Sequence, residues 1–151
     1  MLITYELIIA KQYLPYFLDY FNEFVGGPAN ANARGFPVGY WGEGVKETVD
    51  YLNSKAPNGA TLRFAVAQPN IIPKIRSDIK VLKPFIHTSY QQFTREEDYE
   101  KKLEENTLSE YILLYDLGVP DLDLYYNEIY ASQIQGRKLA KLYQLKPGIS
   151  K

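Results

Sequence analysis

The sequence predicts an α/β protein with a small mixed sheet of about four strands, flanked by helices and extended by an added N-terminal aromatic helix. After residue 45, segments with helical spacing alternate with short apolar runs rich in strand-forming residues. The first 27 residues place aromatic side chains at helical intervals. We therefore predict a single soluble domain over 1–151, with a helix over 1–27, a Gly/Asn/Trp loop over 28–44 and an α/β core over 45–151.

Composition and charge narrow the possible functions. The 151 residues include 17 basic and 18 acidic side chains, a formal charge of -1, which argues against a nucleic-acid partner. There is no cysteine, so disulfides and thiolate metal sites are excluded. Aromatic residues make up 15% of the chain. This fraction is high for a globular domain. The rings could fill the core of a protein with the composition of heat-adapted proteins. They could instead form a surface that stacks on sugars or lies at a membrane interface.

The N-terminal segment is predicted to be helical in two pieces. Pro15 fits the first turn of the second piece, and Gly26, Gly27 and Pro28 are expected to end it. From there to Gly39 the sequence has no period, which indicates a loop. No stretch has the roughly 20 consecutive apolar residues of a membrane span. The apolar face of the second piece comprises Leu14, Phe17, Leu18, Phe21 and Phe24.

A further helix is predicted to begin near Glu43 and to end before the turn at 56–59. Val45, Val49 and Leu52 lie on one face of this helix and are expected to be buried. The segments that follow are predicted to be a buried strand over 61–68, a broken helix over 70–78 and one or two edge strands over 80–89.

The C-terminal half repeats the alternation of helix and strand. A solvated, highly charged helix is predicted over 94–106, with Thr94 as its cap. The best candidate for a buried strand covers 110–118, and a last strand covers 137–145. Between them an amphipathic helix is predicted from the spacing of Leu122, Tyr125, Tyr126, Ile129 and Tyr130.

Three glycines suggest a nucleotide site but do not match its pattern. Gly39, Gly42 and Gly44 form G-x-x-G-x-G, whereas a dinucleotide site needs G-x-G-x-x-G directly after a strand. An irregular loop precedes these glycines, and we therefore predict no cofactor.

Acidic residues and the lone histidine do not assemble into recognisable catalytic machinery. Asp121 and Asp123 could coordinate a cation, but their place at the start of a predicted helix favours capping. His87 is the only histidine, and the sequence contains no G-x-S-x-G nucleophile elbow with which it could form a catalytic triad. Glu43, Glu47 and Asp50 could form a carboxylate cluster, since Glu43 with Glu47, or Glu47 with Asp50, lie on one helix face. Paired acid/base catalysis needs carboxylates on opposed surfaces, which the sequence does not show. No metal site and no catalytic residue are predicted, and whether the chain belongs to an enzyme stays open.

Four segments resemble a known family. LPYFLDYFNEFVGGP and YWGEGVKETVDYLN look like the segments that begin the C-terminal soluble domain of membrane glycosyltransferases in the dolichyl-phosphate-mannose protein mannosyltransferase superfamily. SEYILLYDLGVPD and GRKLAKLYQL are similar to two later strands of that domain, so the likeness covers nearly the whole chain. The matching positions in the first two segments are Pro15, Tyr16, Leu18, Tyr20, Phe21, Asn22, Gly26, Gly27, Pro28, Tyr40, Trp41, Gly42, Tyr51, Leu52 and Asn53.

The resemblance implies a non-catalytic, extracytoplasmic domain of a polyprenyl-phosphate-sugar-dependent glycosyltransferase. In that family the catalytic base and the sugar donor site belong to the membrane part, which would be the partner here, in the same chain or from a separate gene. A glycan or protein acceptor and the membrane surface are further implied partners, and 1–27 would be juxtamembrane. The implied ligand-binding or membrane-proximal residues are Tyr16, Tyr20, Asn22, Gly26, Gly27, Tyr40, Trp41 and Glu43.

A second hypothesis needs no membrane partner. The chain would then be a free-standing soluble module that binds carbohydrate or protein through aromatic side chains. Its expected site is a shallow groove among Tyr40, Trp41 and the loop over 30–36.

Overall fold

The computed structural model describes residues 7, 8, 10, 11, 14, 26–34, 42–65, 73–84, 108–115 and 122–149. Two helices and five strands have both of their ends within these residues. The helices are α1 (Gly27–Ala33) and α2 (Val45–Lys55), and the strands are β1 (Thr61–Phe64), β2 (Lys80–Leu82), β3 (Tyr111–Tyr115), β4 (Tyr126–Ile134) and β5 (Arg137–Leu145).

The five strands form one mixed sheet in the order β2-β1-β3-β5-β4. Strand β1 pairs in parallel with β2 and with β3, whereas β5 pairs antiparallel with β3 and with β4. The predicted mixed α/β class is confirmed, and the predicted number of strands is corrected from about four to five. The predicted strands over 61–68, 110–118 and 137–145 correspond to β1, β3 and β5.

The fifth strand lies where the sequence predicted an amphipathic helix, and that prediction was wrong. Tyr126–Ile134 pairs along its length with β5. Its register shifts between Glu128 and Tyr130 and again between Ser132 and Gln133. Each shift interrupts the alternation of inward and outward side chains, because a bulge places an extra residue on one strand. The resulting apolar spacing imitates a helix, although the Tyr- and Ile-containing segment suits a strand.

A two-residue turn joins β4 to β5. Gln135 and Gly136 both have positive φ, 43° and 80°, between the paired residues Ile134 and Arg137. Turns of this kind match the right-handed twist of paired strands, which makes a tight antiparallel hairpin favourable.

Asp123 lies in the turn that precedes β4. Because β4 is a strand, Asp123 caps no helix, and the predicted capping role was wrong.

Helix α2 confirms the prediction made for 43–55. Its buried side includes Val45, Thr48, Val49 and Leu52. The Thr48 hydroxyl donates a 2.8 Å hydrogen bond to the carbonyl oxygen of Gly44, which lies directly before the helix. Glu47 in the first turn and Lys55 in the last turn suit the helix dipole.

Helix α1 corrects the prediction of a loop throughout 28–44. Gly26 lies in a turn, and a new helix begins at Gly27 with Pro28 in its first turn. Proline suits this place because the first turn of a helix leaves its N–H groups unbonded in any case. The alternating Ala and Asn residues that follow continue the helix as far as Ala33.

The approach to β2 also differs from prediction. Residues 73–79 form an irregular segment with a turn at Ser77 and Asp78, and the predicted broken helix is absent from them. Strand β2 itself confirms the predicted edge strand, since in the described sheet it pairs only with β1. Pro84 follows it outside the paired residues, as expected for a residue without an N–H group.

The core lies along the sheet, and all five residues of β3 are buried. Leu62 and Phe64 alternate along β1 with Arg63, which is 5% exposed. The Arg63 guanidinium donates a 2.6 Å hydrogen bond to the Lys83 carbonyl oxygen, and burial lowers the pKa of Arg63. The largest fully buried side chains are Tyr126, Tyr143, Leu52, Leu62, Ile112, Leu113, Leu139, Leu142 and Val49.

Several predicted features lie outside the described residues. They include most of the N-terminal helix, the charged helix over 94–106, His87 and Asp121. Leu7, Ile8, Ala10 and Lys11 are helical, and Leu7 and Ile8 are exposed. In the described part of the chain, no helix has both the length and the apolar character required to cross a bilayer.

Candidate functional site

Three of the eight candidate residues predicted from the sequence lie in the described part of the chain. These are Gly26 in the turn before α1, Gly27 at the first position of α1, and Glu43 in the turn before α2. Tyr16, Tyr20, Asn22, Tyr40 and Trp41 lie outside the described residues.

The Gly26-Gly27 turn has a backbone conformation that other residues adopt only under strain. Gly26 and Gly27 have φ angles of 84° and 77°. A Cβ atom on Gly26 would overlap the side-chain nitrogen of Asn30, one turn into α1. This pair therefore determines how the chain enters α1, and its role in the described structure is conformational.

Glu43 lies in the turn at the start of α2 and is partly buried. It directly precedes Gly44, which packs closely against the β4–β5 hairpin. A Cβ atom on Gly44 would lie 2.9 Å from Leu139 Cβ and would overlap the Ser132 hydroxyl. Glu43 is thus anchored beside the hairpin end of the sheet.

A different set of residues forms the strongest candidate site. Tyr51 on α2 and Tyr130 on β4 stack with ring centroids 4.3 Å apart and planes inclined by 17°. Both side chains remain partly exposed. Tyr130 is paired with Leu142 of β5, and Gln144 lies two residues further along the same strand. We call Tyr51, Tyr111, Tyr130 and Gln144 the tyrosine cluster.

The polar side of the tyrosine cluster is provided by two paired strand residues. Tyr111 on β3 lies opposite Gln144 on β5, and the Gln144 amide donates a 3.4 Å hydrogen bond to the Tyr111 hydroxyl. Burial raises the pKa of Tyr111, and the nearby Glu110 carboxylate and Tyr51 raise it further. An unperturbed tyrosine is already protonated at neutral pH, and these shifts act in the same direction, so the Tyr111 hydroxyl can donate a hydrogen bond.

Glu110 is held in place by reciprocal bonds with β1. Its carboxylate accepts a 3.0 Å hydrogen bond from the Thr61 N–H, and its own N–H donates a 2.8 Å bond to the Thr61 hydroxyl. This pair aligns the starts of β1 and β3, and it holds a carboxylate beside Tyr111.

A concave region lies beside the C-terminal part of α2. A groove of about 410 Å³ is lined by Asn53 and by residues 74–77. The Arg76 guanidinium donates hydrogen bonds from all three of its nitrogens to neighbouring groups of the chain. It donates to the carbonyl oxygens of Asn53, Ala56 and Pro57 and to the Asp78 carboxylate. Arg76 therefore clamps the segment before β2 to the end of α2, rather than presenting charge to a ligand.

The Asp78 carboxylate completes this clamp. Hydrogen bonds from Arg76 lower the pKa of Asp78 to about 2, and the Gly59 N–H supports the same ionised form. The groove beside the clamp offers less to a ligand than the tyrosine cluster, where partly exposed rings and hydrogen-bonding groups occur together.

The described residues contain no group of three or more His, Cys, Asp or Glu side chains that could hold a metal ion. The tyrosine cluster instead combines ring surface, hydroxyl groups and an amide. Such a set is suited to non-covalent binding of a ligand that has both C–H surface and hydroxyl groups.

Comparison with known proteins gives no relative for this chain: no family model, curated protein or solved structure matches it significantly.

The sequence patterns do not predict the tyrosine cluster. Tyr51 belongs to the second family-like motif, and the spacing of Tyr130 fits the face of a helix that does not form. The Gln135-Gly136 dipeptide between two β-prone runs could have revealed the hairpin, and with it the position of Tyr130. The Arg76 clamp has no recognisable sequence signal, because three of its five acceptor oxygens are backbone carbonyls that tertiary contacts bring to it.

Proposed function

We propose that this chain is a non-catalytic extracytoplasmic domain of a polyprenyl-phosphate-sugar-dependent membrane glycosyltransferase, and that it assists binding of the acceptor or glycan. The proposal starts from the resemblance of the N-terminal motifs to the mannosyltransferase superfamily. The observation that carries it furthest is the Gly26-Gly27 turn, where the G-G-P part of the first motif has two left-handed glycines followed by α1.

This geometry supports the proposal because it explains why the motif has two glycines at these positions. A chain that leaves a membrane surface must turn before it folds into the appended domain, and glycines with positive φ permit a sharp turn. Two such residues followed by a proline in the first helical turn end one segment and begin another within three positions.

The tyrosine cluster supports the binding part of the proposal. Its ring surfaces and neutral hydrogen-bonding groups are held by one helix and three strands, so a ligand would meet a site formed in advance. A site of this kind assists catalysis elsewhere by holding an acceptor in place.

Fractionation of cells from the source organism tests the proposal. Membrane and soluble fractions would be probed with an antibody raised against this domain. If the domain is part of a longer chain, we expect a band far above 17.4 kDa in the membrane fraction. If the membrane part comes from a separate gene, we expect a band near 17.4 kDa in the membrane fraction, and after detergent extraction this chain should remain associated with a glycosyltransferase. A soluble band near 17.4 kDa, with no membrane-associated pool, would contradict the proposal.

A free-standing soluble module that binds carbohydrate or protein is the second candidate function. The partly exposed Tyr51–Tyr130 pair favours it, because this pair could bind a glycan without a membrane partner. The soluble band just described would support this candidate. Titration of Trp41 fluorescence with oligosaccharides would then test whether the predicted groove among Tyr40, Trp41 and residues 30–36 takes part in binding.

A further inference from the structure

The two stacked tyrosines form a rigid aromatic surface at the edge of the sheet. Tyr51 is held by α2, whose apolar side packs on the core, and Tyr130 is held by the β4–β5 hairpin. Their rings restrain each other at 4.3 Å, and each side chain keeps solvent-exposed area. Ordering these rings therefore costs little further entropy when a ligand binds.

Hydrogen-bonding groups adjoin this aromatic surface on the neighbouring strands. Gln144 is exposed, and its amide reaches the Tyr111 hydroxyl. An amide both donates and accepts hydrogen bonds, as does a phenol hydroxyl. A hydroxyl-rich ligand could therefore find donors and acceptors next to a ring surface.

We propose that the tyrosine cluster is a binding site for one neutral sugar residue of a glycan chain. The C–H face of the sugar lies against the ring surface that the Tyr51–Tyr130 stack leaves exposed, and the sugar hydroxyls bond to Gln144 and Tyr111. This inference rests on the proposed function, because it names the site at which that function would hold its glycan.

The charge beside the site favours a neutral ligand over a phosphate or a carboxylate. Glu110 directly precedes Tyr111, and the Thr61 N–H holds its carboxylate in place at the start of β3 with a 3.0 Å hydrogen bond. An anionic group placed at the Tyr111 hydroxyl would be repelled by the same carboxylate. The sugar is therefore a glycan residue and not the phosphate-bearing donor.

Calorimetric titration of the whole chain tests this site. The probes are maltohexaose, cellohexaose, mannohexaose and chitohexaose, and the variants are Tyr51→Leu, Tyr130→Leu and Gln144→Ala. We expect at least one probe to bind, with each leucine variant weakening binding about tenfold or more because the ring surface is lost. Gln144→Ala should weaken binding about threefold or more.

Matched controls separate loss of the ligand contact from loss of the fold. Gln133→Ala removes an exposed glutamine from β4 near the hairpin end and should leave the dissociation constant unchanged. Tyr51→Phe and Tyr130→Phe retain the rings and should change it by less than about threefold. Circular dichroism checks the fold of every variant.

A second measurement needs no variant. In the unaltered chain, the probe that binds should shift the amide resonances of Tyr51, Tyr130 and Gln144 and leave those of the Arg76 clamp unchanged. Failure of all four probes to bind, or shifts confined to other residues, would overturn the site. Binding that is lost on Trp41→Ala but unaffected by the cluster variants would also overturn it. None of these three results would change the outcome of the membrane fractionation, which tests the proposed function separately.

Discussion

Gly44 shows how a single missing side chain can permit a contact between elements. Its φ of 81° lies in the left-handed region, and its Cα approaches Ser132 and Leu139 of the hairpin. Any Cβ atom would meet both strain and overlap. The position therefore couples the start of α2 to the end of the sheet.

Replacing this glycine should be costly. Gly44→Ala is expected to lower the free energy of unfolding by about 2–4 kcal/mol, from left-handed strain together with overpacking. Gly136→Ala is the matched control, because Gly136 also has positive φ but open space around its Cα. It should cost only about 1 kcal/mol. Urea denaturation measures both, and equal losses would contradict a steric role for Gly44.

Asp78 gives the chain a predictable response to acid. Its folded pKa of about 2 lies below the ordinary value of 3.8, so the clamp stabilises the fold above pH 3.8. This contribution is lost as pH falls from 3.8 towards 2, because the carboxylate then takes up a proton.

The prediction for Asp78→Asn follows from that direction. At pH 7 the variant should be less stable than the unaltered chain, and the difference should shrink as the pH falls below 3.8 and be mostly lost at pH 2. Asp50→Asn is the control, since Asp50 pairs with Lys46 on an exposed helix surface, where ion pairs contribute little. Thermal unfolding at pH 7, 4 and 2 measures the effect. A difference that does not vary with pH would contradict the assigned role.

At the scale of elements, α2 depends on its packing against the sheet. An isolated helix of 11 residues is marginal in water, so its stability must come from its buried side. Val45, Val49, Leu52 and Ala56 lie in the core, spaced by three or four residues.

Leu52 is fully buried on this side of α2, and its truncation tests the packing. Leu52→Ala should lower the free energy of unfolding by about 2–5 kcal/mol, through lost burial and the cavity left behind. Lys55→Ala, at an exposed position three residues later, should change it by less than about 0.5 kcal/mol. Guanidinium denaturation of both variants gives the comparison. A small effect at Leu52 would mean that the surrounding core closes over the cavity.

Strand β4 shows the limit of pattern analysis at this scale. Its apolar residues fit helical spacing, and only pairing with β5 decides that they form a strand. The two register shifts obscure the two-residue period by which a strand is recognised. Strand β5 has no register shift against β3, and its bounds were predicted without error at 137–145.

At the scale of the whole molecule, the sheet joins segments that are distant in the chain. Strand β3 is central, and it pairs with β1 about fifty residues earlier and with β5 about thirty residues later. Strands β2 and β4 lie at the two ends of the described sheet.

This arrangement predicts an order of protection from amide hydrogen exchange. The amides of β3 should exchange most slowly, because both of its neighbours and most of the core must separate to expose them. Those of β2 should exchange fastest among the strands, since β2 has three residues and two of them are exposed. Exchange measured by NMR at neutral pH gives the order. Equal rates in β2 and β3 would contradict the sheet order described here.

The sequence by itself determined the class of fold, helix α2 and the positions of β1, β3 and β5, because local propensity and an uninterrupted apolar pattern agree in those segments. It also indicated that Gly26 and Gly27 form a turn. The tertiary structure decided that 126–134 is a strand, against an apolar spacing that fits a helix and in agreement with the turn-forming Gln135-Gly136 pair. It also decided that a helix begins at Gly27 and that Tyr51 stacks on Tyr130. Strand register and ring stacking depend on contacts between distant segments, which a local sequence pattern does not contain.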